Sequence, residues 1–82
     1  MKSLSDLTHR EMEILHLVLA GLTNKAIAAE LYISENTVEF HLDHIYTKIG
    51  ARTRVMAGIW ALQHGMEAKT REIPSSLSER KM

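Results

Sequence analysis

The chain has 82 residues, enough for one small domain with one hydrophobic core. Ten Lys and Arg residues balance ten Asp and Glu residues, so a general electrostatic attraction to nucleic acid or acidic lipid is excluded. The chain has no cysteine, which excludes disulfides and Cys-based zinc sites. Since no apolar run approaches the roughly 18 residues of a membrane span and residues 1–10 lack a signal-peptide core, we expect a soluble, cytoplasmic protein without membrane association.

The first predicted element is a helix from about His9 to Ala20. Thr8 is placed as its N-cap, and Glu11 lies three residues further on, which is the spacing of a capping box. Gly21 can adopt the left-handed conformation that ends a helix.

The next two predicted helices are joined by a tight turn. Thr23 can cap a short helix over residues 24–31, and Ser34 can cap a third helix that Gly50 ends. Four apolar residues recur in the third helix at steps of four, three and four, which places them on one core-facing stripe: Val38, Leu42, Ile45 and Ile49.

The opposite face of the third helix carries polar residues and one large aromatic residue: Asn36, Glu39, Phe40, Asp43 and Thr47. A phenylalanine on this face has no obvious place in so small a core, so we interpret Phe40 as a contact residue. The alternative is an ordinary exposed phenylalanine, because single apolar residues on the surface are normal.

A fourth helix is predicted from the cap at Thr53 to about His64, with Gly65 as its stop. Its apolar residues are Val55, Met56, Ile59, Trp60 and Leu62. Residues 66–82 contain one proline, three serines and mixed charge without a sustained period, so we predict a frayed helix extension and then a disordered end. The packed domain is accordingly predicted to cover residues 1–65.

The sequence offers no catalytic set. His41 and His44 lie three residues apart, but without a third ligand this spacing is weak support for a metal site. The other histidines have no nucleophile or orienting carboxylate beside them. We therefore expect no enzyme activity, no metal and no cofactor.

Five motifs in this order carry a resemblance to a known family: LTHRE from Leu7, GLTNKAIA from Gly21, ISENTVEFH from Ile33, KIG from Lys48 and RVMA from Arg54. From Leu7 to about Ala61 the chain resembles the LuxR-type helix-turn-helix domain. That domain occurs at the C-terminus of NarL/FixJ response regulators and quorum-sensing activators, and alone in small GerE-like regulators.

The resemblance implies an all-α, four-helix DNA-binding domain of a transcriptional regulator, with the third helix, about residues 35–49, in the major groove. Phosphate contacts are expected from Thr23, Asn24, Lys25, Thr37, His41, Lys48 and Arg52. Base readout is expected from Asn36, Glu39, Phe40 and Asp43. Double-stranded DNA is the expected partner, and a contact with RNA polymerase is a further expectation.

The resemblance also implies a homodimer on DNA, because the corresponding fourth helix often forms a two-fold contact in the family. Met56, Trp60 and Gln63 are the expected contact residues, and the alternative for Trp60 is a place in the core. Arg54 can bind phosphate or pair internally with a carboxylate such as Glu11.

Charge is where the sequence departs from the family. Members usually carry Lys or Arg where this chain has Glu39 and Asp43, and residues 1–65 contain six bases against seven acids. A domain that binds DNA by phosphate neutralisation is expected to be basic. Two hypotheses follow. In the first, Glu39 accepts a hydrogen bond from the amine of a cytosine, and Phe40 packs against the methyl group of a thymine. In the second, the fold serves as a protein-interaction module that binds a basic partner, with little or no DNA binding.

Overall fold

The computed structural model describes residues 3–67. A one-turn 3₁₀ helix precedes four α-helices. Their bounds are Leu4–Asp6 for the turn, then α1 (His9–Leu19), α2 (Asn24–Leu31), α3 (Glu35–Ile49) and α4 (Arg54–Gln63). No strand occurs within residues 3–67, and the predicted all-α fold is confirmed.

Each α-helix begins at the N-cap predicted from the sequence. The hydroxyls of Thr8, Thr23, Ser34 and Thr53 accept hydrogen bonds from backbone N–H groups three residues further on, at 3.0 to 3.1 Å. In α1 the carboxylate of Glu11 also accepts from the N–H of Thr8 at 2.9 Å, which completes the capping box. Such caps contribute about 1 kcal/mol each and fix where each helix starts.

The predicted core stripe of α3 is confirmed. Val38, Leu42, Ile45 and Ile49 are all buried. They pack with buried residues of α1 and α2, among which Ile14, Leu15 and Ile27 have no exposed surface. Because one side of α3 is buried along its whole length, its opposite side is held facing outward in a fixed orientation.

The turn between α2 and α3 contains a strained residue. Tyr32 adopts the left-handed conformation with φ of 58°, although its side chain is 94% exposed and gains little from packing. The N–H of Ile33 then bonds to the carbonyl of Ala28 at 3.0 Å and closes the turn. A non-glycine residue in this conformation costs about 1 kcal/mol, a cost that the closed turn outweighs.

The apolar residues by which α4 was predicted lie mostly on its exposed side. Ala57 and Ala61 are fully buried, whereas Val55, Met56, Ile59 and Leu62 are 45% to 70% exposed. Since alanine has a small side chain, α4 can approach α1 closely with these two residues and leave its larger ones outside.

The packed part reaches slightly further than the predicted boundary at residue 65. Met66 is buried, and its N–H bonds to the carbonyl of Ala61 at 3.0 Å after the left-handed Gly65. The packed domain is predicted to begin at residue 1. A frayed and then disordered end is predicted for residues 66–82. Residues 1–2 and 68–82 lie outside the described residues. No helix within residues 3–67 is both long and apolar enough to cross a membrane.

Candidate nucleic-acid interface

The outward face of α3 is exposed at every predicted position: Asn36, Glu39, Phe40, Asp43 and Thr47. Phe40 is 58% exposed, and its ring does not stand alone. The ring of His44 lies 4.4 Å from it between centroids, and the ring of His41 lies at 5.7 Å. Phe40 is therefore part of a small aromatic cluster with two histidines.

The charge of this face is negative. Glu35, Glu39 and Asp43 are exposed, and the only Lys or Arg within α3 is Lys48 in its last turn. Glu35 lies in the first turn, where a carboxylate is stabilised by the helix dipole. Glu39 and Asp43 lie further along the helix, so stabilisation by the helix dipole does not explain why carboxylates occupy these positions.

Lys48 forms an ion pair with another residue of the domain. Its Nζ lies 2.8 Å from Oε1 of Glu11, a carboxylate that is 4% exposed. Burial raises the pKa of Glu11, but the bonds from Lys48 and Thr8, together with the charge of Lys48, lower it by more. The ion pair joins the end of α3 to the start of α1, so part of the donor capacity expected for DNA phosphate is already used.

Arg54 pairs internally, as one alternative anticipated, but the predicted partner Glu11 is wrong. Its guanidinium donates to Oδ1 of Asn24 at 2.8 Å and to the carbonyl of Leu22 at 2.6 Å. Arg54 does not pair with Glu11 because the Glu11 carboxylate faces the end of α3, where it accepts a hydrogen bond from Lys48.

The start of α2 offers donors that the domain does not use. Thr23 caps the N–H of Ala26, and within residues 3–67 the N–H groups of Asn24 and Lys25 have no helical partner. Lys25 is exposed and, among the described residues, belongs to no ion pair. Positive charge, free N–H groups and the helix dipole therefore coincide there, which suits an anion.

The other predicted phosphate contacts are spread over three elements. Thr37, in the first turn of α3, shares a hydrogen bond with the hydroxyl of Ser34 at 2.9 Å. His41 is half-buried on the flank of α3. Arg52 is exposed in the loop before α4 and has no ion pair within the described range.

The three predicted dimer residues line one shallow apolar groove. Met56, Trp60 and Gln63 border it, together with Ile59 and the end of α3 around Gly50. Trp60 is half-buried and its ring stacks on His64 at 4.0 Å, so it belongs partly to the core and partly to the groove. Ile59 is not among the predicted dimer contacts, but it is half-exposed at this groove.

Within residues 3–67, no three His, Asp or Glu side chains come together as a metal ion would require. Two helices packed on each other and on α1 and joined by a tight turn, with the second helix presenting one exposed face, define the helix-turn-helix class.

Residues 5–61 match the family described as bacterial regulatory proteins, luxR family, and the chain belongs to that family. It is 44% identical over 63 residues to the transcriptional regulatory protein LnrK of Bacillus subtilis, covering 77% of this chain and 29% of that protein. It is 48% identical over 59 residues to the nitrate/nitrite response regulator protein NarP of Escherichia coli, covering 72% and 27%. The chain thus spans less than a third of the length of these relatives.

Two solved structures share the fold. The response regulator ChrA of a heme-sensing two-component system matches with a TM-score of 0.68 and 49% identity, over 70% of this chain and 28% of that chain. The Vibrio cholera VqmA–ligand–DNA complex matches with a TM-score of 0.71 and 33% identity, over 93% and 32%.

Proposed function

We propose that this chain is a sequence-specific DNA-binding regulator of transcription, or the DNA-binding part of one, and that α3 lies in the major groove. The observation that carries the proposal is the exposed outer face of α3, held in one orientation by the buried stripe behind it. An α-helix fits the major groove of B-DNA, where base edges can be distinguished. The family match and the DNA complex of VqmA support it.

Phosphate binding is assigned to both sides of α3. The start of α2 supplies Thr23, Asn24 and Lys25, whose free donors favour an anion. Thr37, His41 and Arg52 complete this set. Lys48 also belongs to this set, but with fewer donors free for phosphate, because an ammonium has three N–H groups and Glu11 accepts a hydrogen bond from one of them.

Base readout is assigned to the exposed residues Asn36, Glu39, Phe40 and Asp43. A carboxylate only accepts hydrogen bonds, so Glu39 is favoured opposite a cytosine amine and disfavoured near guanine acceptors. The aromatic cluster around Phe40 suits a thymine methyl group. The acidic face therefore selects sequence at the expense of affinity.

Assembly on DNA is assigned to α4. Its exposed apolar residues suit a two-fold contact between two chains on an inverted repeat whose half-sites lie about one helical turn apart. A cytoplasmic location and a contact with RNA polymerase belong to the same proposal, since both accompany regulation of bacterial transcription. No enzymatic activity is part of it.

The proposal is tested by titrating duplex DNA with the chain at low and moderate salt, with Lys25→Ala beside the unchanged protein. Lys25→Ala should weaken binding to specific and random duplexes equally, by about three- to fivefold at moderate salt, and lower the slope of log affinity against log salt by roughly one. Base preference should not change.

The matched control is Arg10→Ala, which removes the same charge from a residue paired with Glu13 on α1. We expect its salt slope to equal that of the unchanged chain. Absence of duplex binding at low salt would refute the proposed function, and an unchanged slope in Lys25→Ala would remove Lys25 from the site.

One observation favours the protein-interaction function as a second candidate: an acidic face around an exposed Phe40 also suits a basic protein partner. Glu39→Gln separates the two functions. It keeps shape and length but removes the charge, so non-specific DNA binding should strengthen while the ratio of specific to non-specific affinity falls by about tenfold.

Glu35→Gln is the control, since it removes a charge from the first turn of the same helix. It should strengthen non-specific binding similarly without changing the ratio. If Glu39→Gln left both affinities unchanged, the acidic face would not touch DNA and the protein-interaction function would be favoured.

A further inference from the structure

We infer that Arg54 is a positioning residue for phosphate binding, because it holds the side-chain amide of Asn24 with its NH₂ group available to a DNA phosphate. The inference rests on the proposed function and adds a role for a residue of α4 that does not itself touch DNA.

The geometry consists of one guanidinium and two acceptors. Nη1 of Arg54 donates to Oδ1 of Asn24 at 2.8 Å, and Nη2 donates to the carbonyl of Leu22 at 2.6 Å. The two acceptors lie on either side of Thr23, the N-cap of α2. Arg54 therefore clamps the residues that form the start of α2 from the first turn of α4.

The pairing fixes the orientation of the amide. A guanidinium can only donate, so the atom of Asn24 that faces it must be the oxygen, and the NH₂ group lies on the opposite side of the planar amide. An asparagine amide otherwise rotates readily about its last torsion. Without the guanidinium, either the oxygen or the NH₂ group could face an approaching anion, and the oxygen would repel it.

The NH₂ group of Asn24 is also free. Within residues 3–67 the only hydrogen bond of this side chain is the one from Arg54. No buried side-chain nitrogen or oxygen lacks a partner in the described chain, so this unpaired nitrogen is accessible to solvent. It belongs to the same residue as one of the two free backbone N–H groups at the start of α2.

The positive guanidinium strengthens the donor that it orients. A cation bonded to the amide oxygen draws electron density from the nitrogen, so its N–H bonds become more polar, as in other hydrogen-bond chains. The Leu22 bond serves a second purpose, since it fixes the guanidinium relative to the backbone that precedes the N-cap. Arg54 thus acts on the phosphate through Asn24.

The test is a double-mutant cycle of Arg54→Met and Asn24→Ala, measured as duplex affinity at fixed salt. Arg54→Met keeps an unbranched apolar stem at this position and removes the guanidinium with its donors. Each single variant should bind about tenfold more weakly, as expected for a lost hydrogen bond to a charged group, and the double variant should be within about twofold of the weaker single variant. Losses that multiply would overturn the inference, because the two residues would then act independently.

Folding is followed by urea denaturation in the same four proteins, so that affinity is compared between folded chains. Should Arg54→Met fail to fold, Asn24→Asp replaces it. Its carboxylate keeps the bond to Arg54 but has no donor, so stability should be kept while affinity falls at least as far as in Asn24→Ala. Duplex binding by Asn24→Asp equal to that of the unchanged chain would overturn the inference.

Failure of the inference differs from failure of the proposed function. If the unchanged chain does not bind duplex, the proposed function fails. If it binds, and Lys25→Ala weakens it while Asn24→Ala does not, the function stands and the role of Arg54 fails.

Discussion

Replacing Glu11 by alanine should lower the free energy of unfolding by about 2–3 kcal/mol. Oε1 of this carboxylate accepts from the N–H of Thr8 at 2.9 Å and from Nζ of Lys48 at 2.8 Å. The substitution removes half of a capping box and leaves Lys48 without its partner, although Lys48 is exposed enough for water to replace part of the loss. The melting temperature should fall by roughly 10–15 °C.

The control is Glu13→Ala, two residues further along the same helix, whose carboxylate pairs with Arg10 near the surface. Surface pairs contribute little, so its loss should be about 0.5 kcal/mol or less. Equal losses in the two variants would show that the Glu11 contacts do not stabilise the fold beyond an ordinary surface pair.

The Glu11 contribution should depend on pH. Its folded pKa lies below the ordinary value of 4.5, so the ionised form is the one that folding favours. The stability difference between the unchanged chain and Glu11→Gln should be constant above about pH 5.5 and shrink as pH falls below 4.5 through the lowered pKa. A difference that grows on acidification would contradict this assignment.

Met56→Glu should weaken binding to an inverted repeat by about 100-fold, since it places a charge in the proposed two-fold contact and leaves each chain to bind its half-site alone. Binding to a single half-site should stay unchanged. Sedimentation should show two chains per inverted repeat for the unchanged protein and one for the variant at comparable concentration.

Val55→Glu is the matched control, because it adds the same charge to the same turn of α4 on its other exposed flank. We expect a smaller loss. A larger loss of affinity in Val55→Glu than in Met56→Glu would show that the contact does not lie at Met56, Trp60 and Gln63. If the unchanged protein bound as a single chain per duplex at saturation, the two-fold arrangement would be refuted.

Local features of this chain could be predicted from sequence because the groups involved are close along it. Each N-cap bond joins residues three apart, as between Thr8 and Glu11, so the starts of the four helices follow from short stretches. The stripe of α3 follows from helical periodicity in the same way. The motifs from Leu7 to Ala61 predicted the family, which is confirmed.

The long-range pairs could not be predicted. Glu11 with Lys48 and Arg54 with Asn24 lie 37 and 30 residues apart, and which cation meets which acceptor depends on how the helices pack. Internal pairing of Arg54 with a carboxylate such as Glu11 was one of two alternatives, but its actual partners became apparent only with α4 placed beside the start of α2.

The sequence by itself determined where the helices begin, which side of α3 is buried and which family the chain belongs to, because caps, periodicity and motifs are local patterns. Only the tertiary structure decided which side of α4 is covered. Its pattern contains both large apolar residues and alanines, and close packing against α1 selected Ala57 and Ala61 for the interior. The apolar residues left outside are a product of that packing, as is the orientation of the Asn24 amide, which Arg54 of α4 holds.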